Sequence, residues 1–373
     1  MKMYYIANVR MPNEKAHGIQ IAKMCEAFIA SGVDLTLVVS SRGSGSLKAF
    51  YGLTEDIPTV RLSVFDLQFL GRVGYWLTAL QFSIRALLYL WSKVLRGELF
   101  CTYTIDMDNF SFAFYALVPR PLIAEMHSPK KYSWLTRPFF KHAKIIATNA
   151  LIAKDLAETF CIHSGRMLVE PNGVDEKVFT LSLTQHEARK RLNLPDEPFA
   201  LYVGRIYGWK GLGILADAAH EAPLPILLVG GTREEYERIT NKDVGDVRCI
   251  GVRPSTEIPL WLAAADILLV LGTRENEESF RHTSPMKLFE YLAARRPVVA
   301  SRTPANTSIL PEDAVFWYAP DDAQALLAAL KEARESSRAA TKVEAGYRSA
   351  QEHTWRARAR RILAFSSHDT LIP

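Results

Sequence analysis

The sequence has few cysteines and lacks a long uncharged apolar run. Only four of its 373 residues are cysteine, and they show neither a CxxC pair nor zinc-ligand spacing. We therefore expect reduced, buried thiols and no structural metal. The most apolar stretch, 65–95, contains Arg72, Arg85 and Lys93, so it has no run of about 18 uncharged residues that could span a bilayer.

The chain also lacks a signal-peptide pattern and a strong charge of one sign. Residues 1–9 show no apolar segment followed by a small-residue cleavage site, which predicts a cytoplasmic protein. The net charge of +5 suits anionic small molecules or a membrane surface, but it falls short of a nucleic-acid-binding stripe. With 49% hydrophobic and 23% charged residues, the composition excludes a disordered protein.

Short apolar runs alternate with helical patterns along nearly the whole chain, which predicts βαβ units and parallel sheets. One set runs from the strand 3–9 to the turn 172–175, and a second begins with the strand 199–203. The polar segment 182–198 contains two prolines and is the predicted linker. We therefore predict two doubly wound, Rossmann-like α/β domains, 1–181 and 199–352, that face a central cleft.

The loop after the strand 199–203 has the features of an anion-binding site. It reads Gly204-Arg205-Ile206-Tyr207-Gly208-Trp209-Lys210-Gly211 and leads into a predicted helix. Glycines let backbone N–H groups approach an anion, and a helix N-terminus adds positive potential. Two cations, Arg205 and Lys210, suit a diphosphate. The alternative is a βα turn with two solvated cations. The absence of GxGxxG disfavours a dehydrogenase.

A second anion-binding segment is predicted at the start of a helix, 286–294. Ser284 is expected to cap this helix, with Pro285 as its first residue, so that free N–H groups point out of the sheet edge. Glu290 would then accept hydrogen bonds from a ribose diol. The alternative is a capped surface helix with a solvated glutamate.

Together these motifs resemble the retaining glycosyltransferases of family four. The resemblance covers nearly the full chain and rests on 204–211, Ser284-Pro285-Met286-Lys287-Leu288-Phe289-Glu290-Tyr291, Pro297-Val298-Val299-Ala300-Ser301 and Asn172-Gly173-Val174-Asp175. It implies the GT-B fold, a nucleotide-sugar donor bound mainly by the C-terminal domain and an acceptor bound mainly by the N-terminal domain. It further implies retention at the anomeric carbon, no metal or other cofactor, and a last helix, 353–373, that packs back on the N-terminal domain.

The resemblance also implies roles for individual residues. Arg205 and Lys210 would bind the donor diphosphate, Glu290 would hold the ribose hydroxyls, and His127 would orient the reacting sugar. The catalytic residues implied are thus His127, Arg205 and Lys210, and His17 is a candidate acceptor-binding residue. The remaining implied donor-binding residues are Gly18, Gly204, Gly230, Val252, Ser284, Pro285, Met286, Lys287 and Leu288.

One position departs from the family's pattern. His282 stands where the family usually has a glutamate that touches the donor sugar, so either the loop is rearranged or His282 makes that contact. Asp106-Met107-Asp108 has the DxD form of a metal site, but it lies in the predicted acceptor domain, and we expect no metal there.

The segment 73–96 is predicted to be a helix with apolar residues around much of its circumference. It is either a buried Rossmann-type helix or a partly exposed one. In the second case Arg72, Arg85, Lys93 and Arg96 would lie near anionic lipid headgroups, where a lipid-linked acceptor could be reached.

The sequence therefore predicts a glycosyltransferase that moves a hexose-type sugar from a nucleoside diphosphate to a glycan or lipid-linked acceptor, in cell-surface polysaccharide or glycolipid synthesis. One alternative is a nucleotide-sugar epimerase of the same fold, although no clear pair of catalytic carboxylates is evident. Another is a non-enzymatic two-domain sugar-binding protein. The quoted residues do not distinguish UDP, GDP and ADP.

Overall fold

A computed structural model describes residues 1–106, 110–180 and 183–367 of the chain. The chain divides into two compact units. Unit 1 comprises Met1–Asn172 together with the chain from Trp355 onward, and unit 2 comprises Gly173–Thr354. Each unit contains one parallel sheet with helices on its faces.

Unit 1 is built on a seven-stranded parallel sheet of order β3-β2-β1-β4-β5-β6-β7. Its strands β4 and β5 are buried along their whole length, because a parallel sheet in an α/β unit is covered on both faces. The strands are β1 (Lys2–Arg10), β2 (Asp34–Ser40), β3 (Thr59–Leu62), β4 (Cys101–Ile105), β5 (Leu122–Met126), β6 (Lys144–Ala147) and β7 (Met167–Val169). The helices are α1 (Ala16–Ala30), α2 (Leu47–Tyr51), α3 (Gly71–Leu95), α4 (Arg137–His142) and α5 (Ala150–Phe160).

Unit 2 is built on a six-stranded parallel sheet of order β10-β9-β8-β11-β12-β13. The strand order reverses between β8 and β11, which is where open α/β sheets bind ligands at their carboxyl edge. The helices are α6 (Gln185–Arg191), α7 (Gly213–Ala219), α8 (Arg233–Thr240), α9 (Ile258–Ala264), α10 (Lys287–Ala293), α11 (Pro304–Thr307), α12 (Ala323–Glu335) and α13 (Ala339–Glu352). The strands are β8 (Ala200–Val203), β9 (Ile226–Val229), β10 (Arg248–Gly251), β11 (Ile267–Val270), β12 (Val298–Ser301) and β13 (Phe316–Tyr318).

The last described helix, α14 (Trp355–Ser367), returns to unit 1 and packs against α1. Its Arg358 side chain is completely buried there. The expected fold class, two Rossmann-like α/β domains with a C-terminal helix on the N-terminal one, is confirmed.

The boundary between the units differs from the predicted one. Unit 2 already begins at Gly173, and the expected linker 182–198 contains α6, which packs against α9. The polar composition of this segment was misleading, because its Arg189 is buried and pairs with Asp266 at 2.6 Å. Buried arginines need such a partner, so a polar residue here marks packing rather than a solvated link.

The cysteine prediction is only partly correct. All four cysteines are free, but only Cys25 and Cys101 are buried, whereas Cys249 is half-buried and Cys161 is exposed. Cys161 ends α5 in a left-handed conformation with φ of 53°, which turns the chain out of the helix.

Helix α3 has one buried face and one exposed face. Its buried face carries small residues, Phe82 and Leu90. An apolar row with spacings of three and four residues runs along the exposed face, and we name it the α3 stripe. It consists of Val73, Leu77, Leu80, Ile84, Leu88, Trp91 and Leu95. The expectation of a wholly buried helix is therefore wrong, and the alternative of partial exposure is correct. No helix in the described ranges is long and apolar enough to span a membrane.

Candidate functional site

Three glycines lie at the carboxyl ends of the neighbouring strands β8, β9 and β10. Gly204, Gly230 and Gly251 have backbone φ angles of 151°, 128° and 84°, which residues other than glycine rarely adopt. The N–H of Gly204 donates to the Val229 carbonyl at 2.8 Å, and the N–H of Gly230 donates to the Gly251 carbonyl at 2.9 Å. A Cβ on Gly230 would strike the carbonyl of Gly204 and lie 3.1 Å from the Arg205 nitrogen. The sheet edge is thus open backbone, as an anion-binding loop requires.

Lys287, the first residue of α10, contacts the carboxyl end of β8 through its side chain. Its Nζ donates a hydrogen bond to the Val203 carbonyl and lies 4.2 Å from the centre of the Tyr202 ring. A Cβ on Gly204 would strike this Nζ, so the glycine makes room for the lysine. Burial, followed by the positive charge of Lys210, holds the pKa of Lys287 well below its ordinary range. The family resemblance implied that the backbone at this position contacts the donor, and it did not predict these contacts of the Lys287 side chain.

Lys210 lies at the far end of the same loop. Its Nζ donates to the Arg205 carbonyl at 3.1 Å and lies over the rings of Tyr207 and Trp209. Burial lowers the pKa of Lys210 to about 8. The neighbouring Gly211, with φ of 70°, leaves the space that Thr273 fills. Two lysines whose charged forms are disfavoured in the free protein are well suited to an anion that would stabilise both charges.

Glu290 lies in α10 three residues after Lys287, on the same face of the helix. Burial raises the pKa of Glu290 to about 7, with the negative charge of Asp175 adding to the effect and Lys287 opposing it. The carboxyl is thus close to half-ionised at neutral pH. The structure therefore brings together Gly204, Arg205, Lys210, Lys287 and Glu290, which we name the β8 cluster.

The start of α10 differs from the prediction. The helix begins at Lys287 with Met286 as its N-cap, and no side chain caps it. Ser284 and Pro285 precede it in irregular backbone, and the Leu288 N–H donates to the Pro285 carbonyl. Ser284 is therefore not the N-cap and Pro285 is not the first helical residue, because the chain closes a tight turn before the helix starts.

Two other predicted donor-binding residues lie on loops of unit 2. Val252 follows β10 and is 57% exposed, as a residue that meets a ligand from its backbone would be. His282 is buried at the end of a single π-helical turn, Glu278–His282, and its Nδ1 lies 3.9 Å from Glu278 Oε2. The loop therefore has an unusual local geometry at the position where the family's pattern is broken.

In unit 1, His17 and Gly18 lie in the first turn of α1. A Cβ on Gly18 would lie 2.6 Å from the Tyr51 hydroxyl and 2.7 Å from Asn13 Oδ1, so a side chain there would displace these two groups. Burial, followed by the charges of Lys15 and His127, lowers the pKa of His17 to about 4. His17 is therefore neutral at physiological pH and is electrostatically coupled to His127.

His127 follows the last residue of β5 and is 27% exposed at its side chain. Its Nε2 lies 2.9 Å from Glu125 Oε1, and its backbone N–H donates to Asp106 Oδ1 at 3.0 Å. Glu125 is completely buried and also accepts a hydrogen bond from Arg358 Nη2 at 2.9 Å. The sequence correctly predicted that His127 lies at a strand end, but it did not identify Glu125 and Asp106 as its partners. The E-x-H spacing was the available signal, because alternate strand residues share a face.

Asp106 is committed to protein contacts. Its Oδ2 lies 2.8 Å from Lys130 Nζ and accepts from the Ser128 hydroxyl at 3.2 Å. Asp108, the second acid of the DxD triplet, lies outside the described residues. Within the described ranges no group of three or more histidine, cysteine, aspartate or glutamate side chains is arranged to hold a metal.

Comparison with known proteins shows which proteins share these features. A family model described as Glycosyl transferases group 1 matches residues 197–336, which include the whole β8 cluster. A D-inositol 3-phosphate glycosyltransferase of Paenarthrobacter aurescens is 27% identical over 172 residues, 43% of this chain and 40% of the relative. An O-antigen chain mannosyltransferase C of Escherichia coli is 24% identical over 219 residues, 57% of this chain and 56% of the relative. The matched segments thus span about half the length of these curated relatives.

Solved structures match over almost the full chain. Sucrose-phosphate synthase of Thermosynechococcus elongatus superposes with a TM-score of 0.74 at 19% identity and 98% coverage of both chains. Anabaena Alr3699/HepE, solved in complex with UDP, superposes with a TM-score of 0.72 at 17% identity, covering 98% of this chain and all of that one. These similarities show the fold. The chain therefore has the GT-B fold, and its residues 197–336 match the model of the glycosyl transferases group 1 family.

Proposed function

We propose that the protein is a retaining, metal-independent glycosyltransferase that moves a hexose-type sugar from a nucleoside diphosphate to a glycan or lipid-linked acceptor. The single observation that carries the proposal is the β8 cluster. Lys210 lies in a glycine-edged loop and Lys287 at the start of α10, both at the reversal point of the unit 2 sheet, with Glu290 one turn further along α10. A diphosphate with an attached ribose matches this arrangement of cations and one carboxylate.

The chemistry follows from where charge develops. As the bond between the sugar's anomeric carbon and the phosphate oxygen breaks, negative charge grows on the leaving diphosphate. Arg205 and Lys210 stabilise that charge more strongly in the transition state than in the ground state. The acceptor oxygen bonds to the same face of the sugar, and its proton passes to the departing phosphate. His127 orients the sugar.

The donor and acceptor classes come from the relatives. UDP in the Anabaena structure supports a uridine nucleotide as the first probe. The mannosyltransferase relative acts on an O-antigen chain, which supports a cell-surface glycan as acceptor. An epimerase would convert the donor without any acceptor, so product analysis in the absence of acceptor separates these two functions.

Nucleotide binding and turnover test the proposal directly. UDP or another nucleoside diphosphate is expected to raise the unfolding temperature, because a ligand of the folded state adds RT ln(1 + [L]/Kd) to stability. Arg205→Ala and Lys210→Ala should each lower transfer by about 10²–10³-fold. Lys242→Ala is the matched control, since Lys242 Nζ forms a half-exposed pair with Asp217 at 2.5 Å. A chain that no nucleoside diphosphate stabilises would not be this enzyme.

We further propose that unit 1 docks on an anionic membrane through the α3 stripe. The stripe is about 33 Å long at ~1.5 Å per residue, and its members are all more than one-third exposed. Helix α3 contains no aspartate or glutamate, and its exposed cations are Arg72 and Arg85, whereas Lys93 is largely buried and pairs with Glu98 at 3.5 Å. A second copy of α3 would offer these cations no acidic partner, whereas anionic headgroups do. Docking there would bring the enzyme to a lipid-linked acceptor.

Vesicle binding tests the docking. The chain is expected to sediment with vesicles of phosphatidylglycerol at low salt and to dissociate at high salt. Leu80→Ser with Leu88→Ser should abolish sedimentation. Leu117→Ser is the control, because Leu117 is also exposed in unit 1 but lies off α3. If instead the double variant converts a dimer to a monomer in analytical ultracentrifugation without changing vesicle binding, the stripe is a self-association surface and the docking proposal is wrong.

A further inference from the structure

The carboxylate of Glu125 is the centre of a buried hydrogen-bond cluster in unit 1. Arg358 on α14 donates to both of its oxygens, at 2.9 Å and 3.2 Å. Gln20 of α1 donates to Oε1, and the Tyr103 hydroxyl of β4 donates to Oε2. His127 Nε2 lies 2.9 Å from Oε1. Four side chains from four parts of unit 1 thus converge on one carboxylate that is completely buried.

Arg358 keeps this carboxylate charged. Its own side chain is fully buried, and its Nε donates to the Pro171 carbonyl at 2.8 Å. Burial by itself would raise the pKa of Glu125, but the positive charge of Arg358 and the hydrogen bond from His127 hold it well below its ordinary value. A buried ion pair is retained only when each charge is compensated, and here both are.

A permanently ionised Glu125 dictates where the proton lies on His127. A carboxylate can only accept hydrogen bonds, so the ring nitrogen facing it, Nε2, must be protonated. A neutral imidazole then has its lone pair on Nδ1, which is an acceptor for a hydroxyl group. The amide nitrogen of Gln20 lies 3.1 Å from Nε2 and has a second hydrogen to donate, but an unprotonated Nε2 would then face the Glu125 oxygen at 2.9 Å as acceptor against acceptor.

We propose that Glu125 is a positioning residue that holds His127 as the Nε2–H tautomer, with Nδ1 as acceptor for a sugar hydroxyl, and that Arg358 of the C-terminal helix keeps Glu125 ionised for this task. The assignment of a sugar as the ligand of Nδ1 rests on the proposed function. The tautomer of the His127 ring does not depend on it. It makes docking of α14 a condition for the catalytic competence of unit 1. The proposal assigns a function to a helix that contains none of the predicted site residues.

The ring state is measurable without substrate. In protein labelled with ¹⁵N-histidine, at about pH 8.5 where ordinary histidines are neutral, the wild-type His127 is expected to show the Nε2–H pattern in long-range proton–nitrogen spectra. His127→Gln identifies the signal. The combined change Glu125→Gln and Arg358→Met removes both charges together, which avoids leaving one buried and unpaired. This variant should show a mixture of the two tautomers.

Activity supplies the second measurement. The double variant should bind UDP with unchanged affinity but lose transfer on the order of 10²-fold in kcat, as expected when a reacting group is misplaced. Arg361→Gln is the matched control, because Arg361 also lies on α14 and pairs with Glu170 at 2.7 Å without touching Glu125. It should retain the wild-type tautomer and rate.

Three results would overturn the proposal: an Nδ1–H wild type, a double variant that keeps the Nε2–H pattern, or an equal loss of rate in Arg361→Gln. The last result would mean that α14 acts only by packing. A wild type with the Nε2–H pattern that neither binds nucleotides nor transfers sugar would instead refute the proposed function, while the assignment of the ring would stand.

Discussion

Gly230 lies directly against the peptide that joins Gly204 to Arg205. The contact joins the ends of β8 and β9, so the path of the Arg205 loop depends on the absence of a side chain on the neighbouring strand. An anion-binding loop needs its N–H groups preorganised, and glycine is the residue that allows two backbones to approach this closely.

Gly230→Ala is therefore expected to displace the Arg205 loop. The new Cβ has no room, and the φ of 128° is strained for alanine by on the order of 1–3 kcal/mol. We expect UDP binding to weaken and transfer to fall on the order of 10²-fold. Gly208→Ala is the control in the same loop, since its nearest neighbours, in Ile239, are 3.8 Å away. Equal effects of the two substitutions would argue against preorganisation.

Nucleotide binding should depend on pH through groups with opposite signs, the lysines of the β8 cluster on the alkaline side and Glu290 on the acidic side. Lys210 has its pKa lowered to about 8, so its charge is present below that pH and lost above it. Glu290 has its pKa raised to about 7, so the carboxylate that we propose as acceptor for a ribose diol forms only above that pH. UDP affinity, measured by calorimetry from about pH 5.5 to 9.5, should therefore peak between about 7 and 8.

Two controls assign the limbs of this profile. Pyrophosphate has no ribose, so Glu290→Gln should leave its pH profile unchanged while removing the part of the UDP acidic limb that Glu290 contributes. Lys210→Arg keeps its charge at all these pH values and should flatten the alkaline limb. A UDP profile that is unchanged by Glu290→Gln would remove Glu290 from ribose binding.

Much of the fold could be predicted because its strands are short, apolar and bounded by turns. The predicted strand 3–9 lies within β1, and the predicted strand 199–203 differs from β8 by one residue. The domain boundary could not be read in the same way. Composition cannot tell a solvated polar segment from one in which an arginine such as Arg189 is buried on an aspartate.

In the candidate site, too, residues within local motifs could be predicted, whereas pairs of residues far apart in the sequence could not. Arg205, Lys210 and Glu290 lie within motifs, so spacing along the chain was sufficient to select them as candidates. Glu125 and Arg358 are more than two hundred residues apart in sequence, and pairing at that distance leaves no periodic signal. The contact made by the Lys287 side chain could not be predicted either, because its partner is a backbone carbonyl at the end of β8, 84 residues earlier in the chain.

Asp106 is predicted to be structural, and transfer is predicted to be insensitive to EDTA. Asp106→Asn leaves the ammonium of Lys130 buried without its carboxylate, which should cost about 3–5 kcal/mol of stability. Adding Lys130→Met should restore most of that loss, as measured by hydrogen exchange of the β4 and β5 amides. A metal site would behave differently: EDTA would abolish transfer, and the second substitution would rescue nothing.

The two faces of α3 predict opposite responses to truncation. Phe82 is completely buried in the core of unit 1, so Phe82→Ala should destabilise it by about 3–5 kcal/mol. Leu88 is 63% exposed, so Leu88→Ala should change stability by less than about 0.5 kcal/mol. Because two units can unfold separately, hydrogen exchange of β4 and β5 is the appropriate measurement, with β8 and β9 of unit 2 as the internal reference. A large loss of protection in Leu88→Ala would mean that the stripe is covered in solution. A small loss of protection would mean that the α3 stripe is an exposed apolar surface that does not contribute to the stability of unit 1.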